Sequence, residues 1–369
     1  MVSPGGYGGV RRSASNIRSA INKPRRHRDQ WHDSEHGQGG RVLRYIARRL
    51  ALGVLTMWAL SVLSFVIIQL PPGDFITSYI ARLSQSGGTS AVEEVAGLRR
   101  AYGLDQPMYV QYLKWMSQIL HGNLGMSFSE NRPVADLIGE RLLLTTVVCV
   151  AAIVFTWAVA LPIGIYSAVR KYSMGDYLWT LFGFFGLAVP SFLLALVLMY
   201  VGFEVFGVSV GGLFSPAFET APWSLAKVTD LLKHLIIPAV VLGMAGTAQL
   251  IRVMRANLLD ELGKPYVVTA RAKGLSERRL LIKYPVRVAM NPFASSIAFL
   301  FPQVVSSTII VSIVLSLPTV GPLLVTSLQT QDMFLAGTIV LLLGVLTIVG
   351  TLISDLILMW LDPRIRLAV

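Results

Sequence analysis

Charge is scarce in this sequence: 14% of its 369 residues are Asp, Glu, Lys or Arg, and 54% are hydrophobic. A soluble domain carries roughly a quarter charged residues. The deficit is local, because charges cluster and leave long uncharged gaps. Acids are missing from the depths of those gaps, which excludes an evident proton relay inside a membrane. Asp355 lies near the end of the last gap and is expected to be an interfacial hydrogen-bonding group. Cysteine is almost absent. Cys149 is the one thiol, so no internal disulfide forms, and a small apolar filler is the expected role. The phosphate-binding string G-x-x-x-x-G-K-[ST], the zinc string H-E-x-x-H and paired cysteines are also missing. The chain is therefore not expected to hydrolyse ATP, to hold a metal or to need a cofactor.

What is present is a set of long apolar runs. Runs of about 18 or more uncharged residues read as membrane-spanning helices, since about 20 residues cross a hydrocarbon core of about 30 Å. Six are expected, at 51–70, 144–169, 179–203, 235–253, 293–317 and 334–360. The fifth belongs to an uncharged stretch from Val288 to Gln331, cut by Pro318, Gly321 and Pro322, whose tail is expected to be a short helix or re-entrant piece. The expected fold class is all-α and polytopic.

The net charge of +12 does not point to nucleic acid, because its distribution alternates. Residues 1–50 hold eleven Lys/Arg against three acids, and 255–287 hold eight against three. Residues 71–143 hold six against seven, and 204–234 two against three. Alternate loops are basic, the positive-inside pattern, which places both termini in the cytoplasm.

Residues 1–40 read as a basic, disordered cytoplasmic tail that reinforces topology, with contact to anionic lipid or to a partner as the alternative. It lacks the apolar core of a secretory or twin-arginine signal. His27, His32 and His36 in and around it are a weak metal signal. Residues 41–70 carry the first span. Residues 71–143 form an extracytoplasmic insert with three expected short helices, on "SAVEEVAGLRRAYG", "QPMYVQYLKWMSQIL" and "RPVADLIGERL". In the second, Tyr109, Tyr112, Leu113 and Met116 form a stripe. Its aromatics, Trp115 among them, suit an interfacial belt, a small core or a partner-docking surface. A five-span core occupies 144–361, and 362–369 end the chain in the cytoplasm.

Gly and Pro recur in the spans, in "LPIG", "GLAVPSF" and "HLIIPAVVLGMAG". Proline frees a carbonyl and permits a kink that shapes a cavity or helps helices pack. Phe185, Pro190 and Phe192, with Met244 and Gln249, are candidate pathway-lining residues. Phe184, Met199 and Tyr200 are further candidates.

The basic loop 255–287 is unusual for a connector. A helix is expected from Pro265, a favourable first-turn residue, and Gly274 should end it. Ser276 is placed to cap a second helix with Glu277 in its first turn, and Leu280, Leu281 and Tyr284 give that helix an apolar face. Two short helices meeting at a glycine make a protruding elbow, rigid enough to be pushed.

"YVVTARAKGLSERRLLIKYPVRVAMNP" resembles the cytoplasmic coupling segment, the EAA loop, of the dipeptide/oligopeptide class of bacterial ABC importer permeases. "GLDQPMYVQYLKW", "HGNLGMSF", "HLIIPAVVLG" and "LDPRIR" are similar to other recurring stretches of that family, and the resemblance runs over nearly the whole chain from about Arg41. It implies the type I ABC importer permease fold in the bacterial inner membrane, with a second homologous permease, two ATPase subunits and an extracytoplasmic solute-binding protein as partners. ATP and Mg would sit on the ATPases. It assigns Thr269, Ala270, Arg271, Ala272, Lys273, Gly274 and Leu275 to the segment inserted into an ATPase groove. Peptides are the family's default cargo; oligosaccharides, opines and other small solutes are alternatives, as is a non-transport scaffold for ATPases. The chain departs from the family where a Glu and "WPGLG" are common: here the stretch is "VSIVLSLPTVG", with Ser312 and Thr319. The family's "LRNAL" reads "VRVAM" at 286–290.

Overall fold

A computed structural model of the chain describes residues 33–69, 97, 106–127, 129–207, 210–330 and 332–361. The chain divides into two units by contact: residues 1–49 with 363–369, and residues 50–362. Of the first, the described part is the start of helix α1, Asp33–Gln69. The helix begins inside the stretch expected to be disordered. Residues 1–32, with His27 and His32, lie outside the described residues, as does the helix expected on residues 90–103, apart from Gly97.

Among its described residues the second unit is almost wholly helical. It contains the rest of α1, α2 (Met108–Leu120), a two-residue hairpin of β1 (Met126–Ser127) and β2 (Arg132–Pro133), and α3 (Val134–Val169). There follow α4 (Met174–Ala188), α5 (Ser191–Phe206), α6 (Leu225–His234) and α7 (Ile236–Leu262). The chain closes with α8 (Pro265–Ala272), α9 (Glu277–Lys283), α10 (Pro285–Ser295), α11 (Ile297–Val314), α12 (Val320–Gln329) and α13 (Met333–Leu361).

Among the described residues, four helices are long and apolar enough to cross a membrane: α1 over Ala47–Val66, α3, α7, and α13 over Phe334–Leu356. The expected third span, 179–203, is not one helix. It is the pair α4 and α5, bent by 105°. The break has a local cause. Pro190 cannot donate to a helix and pushes the residue before it out of helical backbone. Val189 is extended accordingly, at φ −89° and ψ 121°. Counted as one broken span, the pair makes five. The expected fifth run at 293–317 holds the shorter apolar helix Phe299–Val314, and the tail beyond Pro318 is α12. The chain is an all-α polytopic membrane protein.

Helix α7 is the hub, packed against α3, α4, α5, α10 and α11. It approaches α3 closely at Gly243, where an added Cβ would lie 2.6 Å from Phe155 Cδ1 and 2.9 Å from the Ala152 carbonyl oxygen. That approach lets Thr156 Oγ1 donate to the Gly243 carbonyl at 3.0 Å. Cys149 is fully buried, its Sγ 3.6 Å from Thr308 Oγ1. It is packed as the expected small filler.

The third helix expected in the insert, on "RPVADLIGERL", is not separate: from Val134 it is the opening of α3. Val134, Leu137 and Ile138 are buried in the main core, so nothing stops the helix short of the span. The stripe of α2 divides. Trp115 is buried with Phe65, Phe334 and Leu341, and Tyr112 and Met116 pack against them. Tyr109 and Leu113 are exposed. Tyr112 also shares a 2.8 Å hydrogen bond with Ser61. The aromatics of α2 therefore build a small core with α1 and α13. Asp332, fully buried, ties the hairpin to α13: it accepts from Ser127 Oγ at 2.7 Å and from the Ser129 N–H at 3.1 Å, and its other oxygen caps Leu335 N.

Candidate functional site

The elbow forms as a unit of its own. Helix α8 opens on Pro265 at its first position and ends at Ala272. Gly274 takes φ +79°, the left-handed conformation that suits glycine. Its N–H reaches the Arg271 carbonyl at 3.0 Å, and the Leu275 N–H reaches the Ala270 carbonyl at 3.4 Å. This pair of bonds is a Schellman stop, and Leu275, the residue after the glycine, packs against the small cluster of Val267, Ala270 and Leu280. Ser276 stands at the N-cap of α9 as expected, but its side chain makes no capping bond. Glu277 instead clasps Arg271 across the glycine, with Nε–Oε1 at 2.5 Å and Nη2–Oε2 at 3.2 Å. The bidentate pair lowers the Glu277 pKa and raises that of Arg271.

Beneath the turn lies a small core. Val267 and Leu280 are fully buried and Ala270 nearly so, with Leu275 and Tyr284 packed against them. This cluster is separate from the cores of the span bundle. The elbow is thus braced by its own packing and anchored at both ends: by α7 before it, and by α10 and α11 after it. Tyr266 adds a further tie by donating to Glu261 at the end of α7. Burial first, then that bond, push its phenol up to about 12.

The seven residues expected to couple divide by exposure. Thr269, Arg271, Ala272, Lys273 and Gly274 are exposed. Ala270 is buried and Leu275 half-buried, and both belong to the internal core. The space beside Gly274 is open, with no atom within 4 Å of where a Cβ would stand. The exposed surface is basic, with Lys273, Arg278 and Arg279, and it also presents Val268 and Ile282, 55% and 63% exposed. A cationic surface with apolar side chains set in it suits docking to a protein rather than solvation alone. Val268 and Ile282 were not legible as surface, because the apolar face of α9 alone does not reveal which residues α8 covers.

The pathway candidates separate in the same way. Phe185, Pro190, Phe192 and Gln249 are exposed on the described chain. Met244 is not: it is 6% exposed and meets the backbone of α4 where Gly186 admits it, 3.1 Å from its carbonyl to an added Cβ. Met244 is a helix-packing residue in this chain. Ser312 and Thr319 are both fully buried, and neither hydroxyl has a hydrogen-bond partner. Asp355 is buried at 7% exposure. One hydrolase-like string does occur, "GVSVG" at 207–211, partly outside the described residues. It follows a helix rather than a strand, and Gly207 is the left-handed cap of α5 at φ +62°. That is not the strand-to-helix setting of a nucleophile elbow. Among the described residues no group of three or more His, Cys, Asp or Glu is placed to hold a metal.

A polytopic helical bundle with a self-braced basic elbow between two spans defines a transport-type membrane protein. The sequence pattern of binding-protein-dependent transport system inner membrane components matches residues 160–367, and that of their N-terminal region matches 42–150. The chain belongs to this family and is a permease component of a binding-protein-dependent transport system in the inner membrane. It is similar to a putative peptide permease protein of Brucella ovis, with 35% identity over 327 residues covering 88% of this chain and 99% of the relative. It is 34% identical to the oligopeptide transport system permease protein AppB of Bacillus subtilis over 324 residues, 87% of this chain and 99% of AppB. It is 31% identical to the dipeptide transport system permease protein DppB of Escherichia coli K12 over 342 residues, 88% of this chain and 99% of DppB.

Proposed function

We propose that the chain is one of two permease halves of an ATP-driven importer of peptides, and that its elbow seats in a groove of an ATPase subunit. The observation that carries this reading is the build of the elbow: exposed on one side, packed on the other, joined to the span α7 at one end and leading through α10 to α11 at the other. Such a part transmits a push instead of absorbing it. The spans in this reading are six: α1, α3, the bent pair α4–α5, α7, α11 and α13. Their order puts the elbow and both termini in the cytoplasm, by the excess of Lys and Arg in 1–50 and 255–287. The insert at 71–143 then faces a solute-binding protein outside. Thr269, Arg271, Ala272, Lys273 and Gly274 supply the surface that meets the ATPase, while Ala270 and Leu275 hold it in shape.

The mechanism follows from linkage. ATP binding brings two ATPases together, and the elbows of two permeases move with them as rigid bodies. The cavity between the permeases opens alternately outward and inward. A loaded binding protein favours one of these states, and its differential affinity couples cargo to ATP use. Peptide cargo is supported by the names of the similar permeases from Brucella, Bacillus and Escherichia. Phe185, Pro190, Phe192 and Gln249 are the pathway residues in this reading.

The test is reconstitution of the complex in lipid vesicles with the solute-binding protein. Uptake of labelled peptide that requires both ATP and the binding protein is the expected result. Peptide-independent behaviour, or uptake indifferent to ATP, contradicts it.

A further inference from the structure

We propose that the stripe Gln249, Arg252, Ala256 and Asp260 walls a water-filled passage, and that the guanidinium of Arg252, set against Phe184, takes the carboxylate of a solute passing through it. This rests on the transport reading above and names the recognition chemistry within it.

Helix α7 is the most buried of the four long spans, at 61% of its apolar window against 17–33% for the others. Between residues 237 and 262 its exposed positions are these four. Their spacing of three, four and four places them on one face. No exposed large apolar side chain lies on that face between residues 237 and 262. The other spans expose a different chemistry: Val150 and Val154 on α3, and Val349, Ile353 and Leu356 on α13. Those faces suit lipid tails. A face with glutamine and arginine does not, because polar groups in hydrocarbon are costly and turn toward water or protein. At 1.5 Å per residue, Gln249 and Arg252 stand about 20 and 24 Å along the helix from Ile236, inside a hydrocarbon depth of about 30 Å.

A second observation lies beside the stripe. A cavity of about 160 Å³ opens between α4 and α7, lined among others by Trp179, Thr180, Phe184, Arg252 and Arg255. The Arg252 guanidinium is 5.9 Å from the Phe184 ring centre, a cation–π contact that holds it at the cavity. Arg255 is already engaged, with Nη2 donating to Asp176 at 2.9 Å, and its buried Nε has no hydrogen-bond partner. Asp176 offsets the charge of Arg255, and no ion pair to Arg252 occurs among the described residues. The cavity therefore offers a net cation with planar donors, suited to a carboxylate. A peptide entering the passage brings one at its C-terminus.

The fully buried Cys149 makes the experiment direct, because a cysteine added in a Cys149→Ala background of the whole complex is the only thiol in this chain. Gln249→Cys and Ala256→Cys are exposed, in membrane vesicles, to a charged thiol reagent that cannot enter lipid; Val154→Cys and Ile353→Cys serve as lipid-face comparisons. We expect labelling at 249 and 256 and none at 154 and 353. Uptake is then compared for a free peptide and its C-terminal amide, each as a ratio of variant to unmodified KM so that selection by the binding protein cancels. Arg252→Gln should raise KM about tenfold for the free peptide and less than twofold for the amide, with Arg252→Lys between. Unlabelled positions 249 and 256, or equal effects on both peptides, overturn the proposal. Labelling that is blocked only by phosphatidylglycerol in the vesicles also overturns it, and assigns Arg252 to a lipid headgroup. Absence of ATP-driven uptake by the unmodified complex refutes the transport reading, while the labelling result still decides the passage.

Discussion

Replacing Leu280 with alanine should melt the elbow and leave the spans intact. Leu280 is fully buried in a cluster completed by Val267, Ala270, Leu275 and Tyr284. A buried Leu→Ala change costs about 2–5 kcal/mol, from lost transfer energy and the cavity left behind. The elbow has little to set against that. Its helices have eight and seven residues, too short to persist alone. Its cross-brace is an exposed ion pair. With a loss of about 3 kcal/mol, local opening rises about a hundredfold, since each 1.4 kcal/mol is about tenfold. Hydrogen exchange read by mass spectrometry on the purified protein measures this. Amides of 267–284 should exchange about a hundred times faster, with those of 237–258 and 334–356 unchanged. Unaltered exchange in the elbow would refute the idea that this cluster holds it, and acceleration spread through the spans would refute its independence.

Other expectations follow from the same contacts. The brace between Arg271 and Glu277 carries a sign: a carboxylate with lowered pKa stabilises above its unfolded value and loses that contribution as pH falls through the folded one. Elbow exchange, corrected for intrinsic rates, should be flat from neutral pH down to about the ordinary carboxylate range near 4.3 and rise below it; in Glu277→Gln the rise should vanish. Gly243→Leu should disrupt the α3–α7 contact, because even a Cβ there comes within 2.6 Å of Phe155. A loss of at least about 1–3 kcal/mol, read as a lowered Tm in detergent, is expected. Asp332→Ala should free the hairpin by removing bonds to Ser127, Ser129 and Leu335; limited proteolysis should then cut near residues 126–133 while α3 and α7 remain protected.

Much of this fold is legible in the sequence, and the losses have physical causes. Uncharged run length locates apolar helices but carries no direction, so 179–203 reads as one span although Pro190 turns the chain by 105°. The string "GLAVPSF" held the signal for that bend. The opening of α3 reads as a separate helix because its charges, Asp136, Glu140 and Arg141, look like a loop's. The elbow is the most legible part, since Pro265 and Gly274 mark its turns by backbone geometry alone. Which of its residues face inward depends on how α9 lies against α8, a tertiary fact. Ala270 therefore reads as part of a docking surface although it belongs to the core beneath it. Asp332 is an isolated acid between two apolar stretches, and its hairpin partners, Ser127 and Ser129, lie some two hundred positions away in sequence.

The central claim is that the elbow's open face at Gly274 receives another protein. Two variants separate bulk from strain. Gly274→Ala brings the cost of a non-glycine residue at positive φ, about 1–2 kcal/mol, into open space. Gly274→Arg brings the same strain and a long side chain across the docking face. The measurement is affinity purification of each from mild-detergent membranes, with mass spectrometry of what stays bound. The account predicts that the unmodified chain and Gly274→Ala retain a second permease and ATPase subunits, and that Gly274→Arg, still inserted in the membrane, loses the ATPases. Equal recovery of ATPases with Gly274→Arg, or their absence from the unmodified chain, would contradict it.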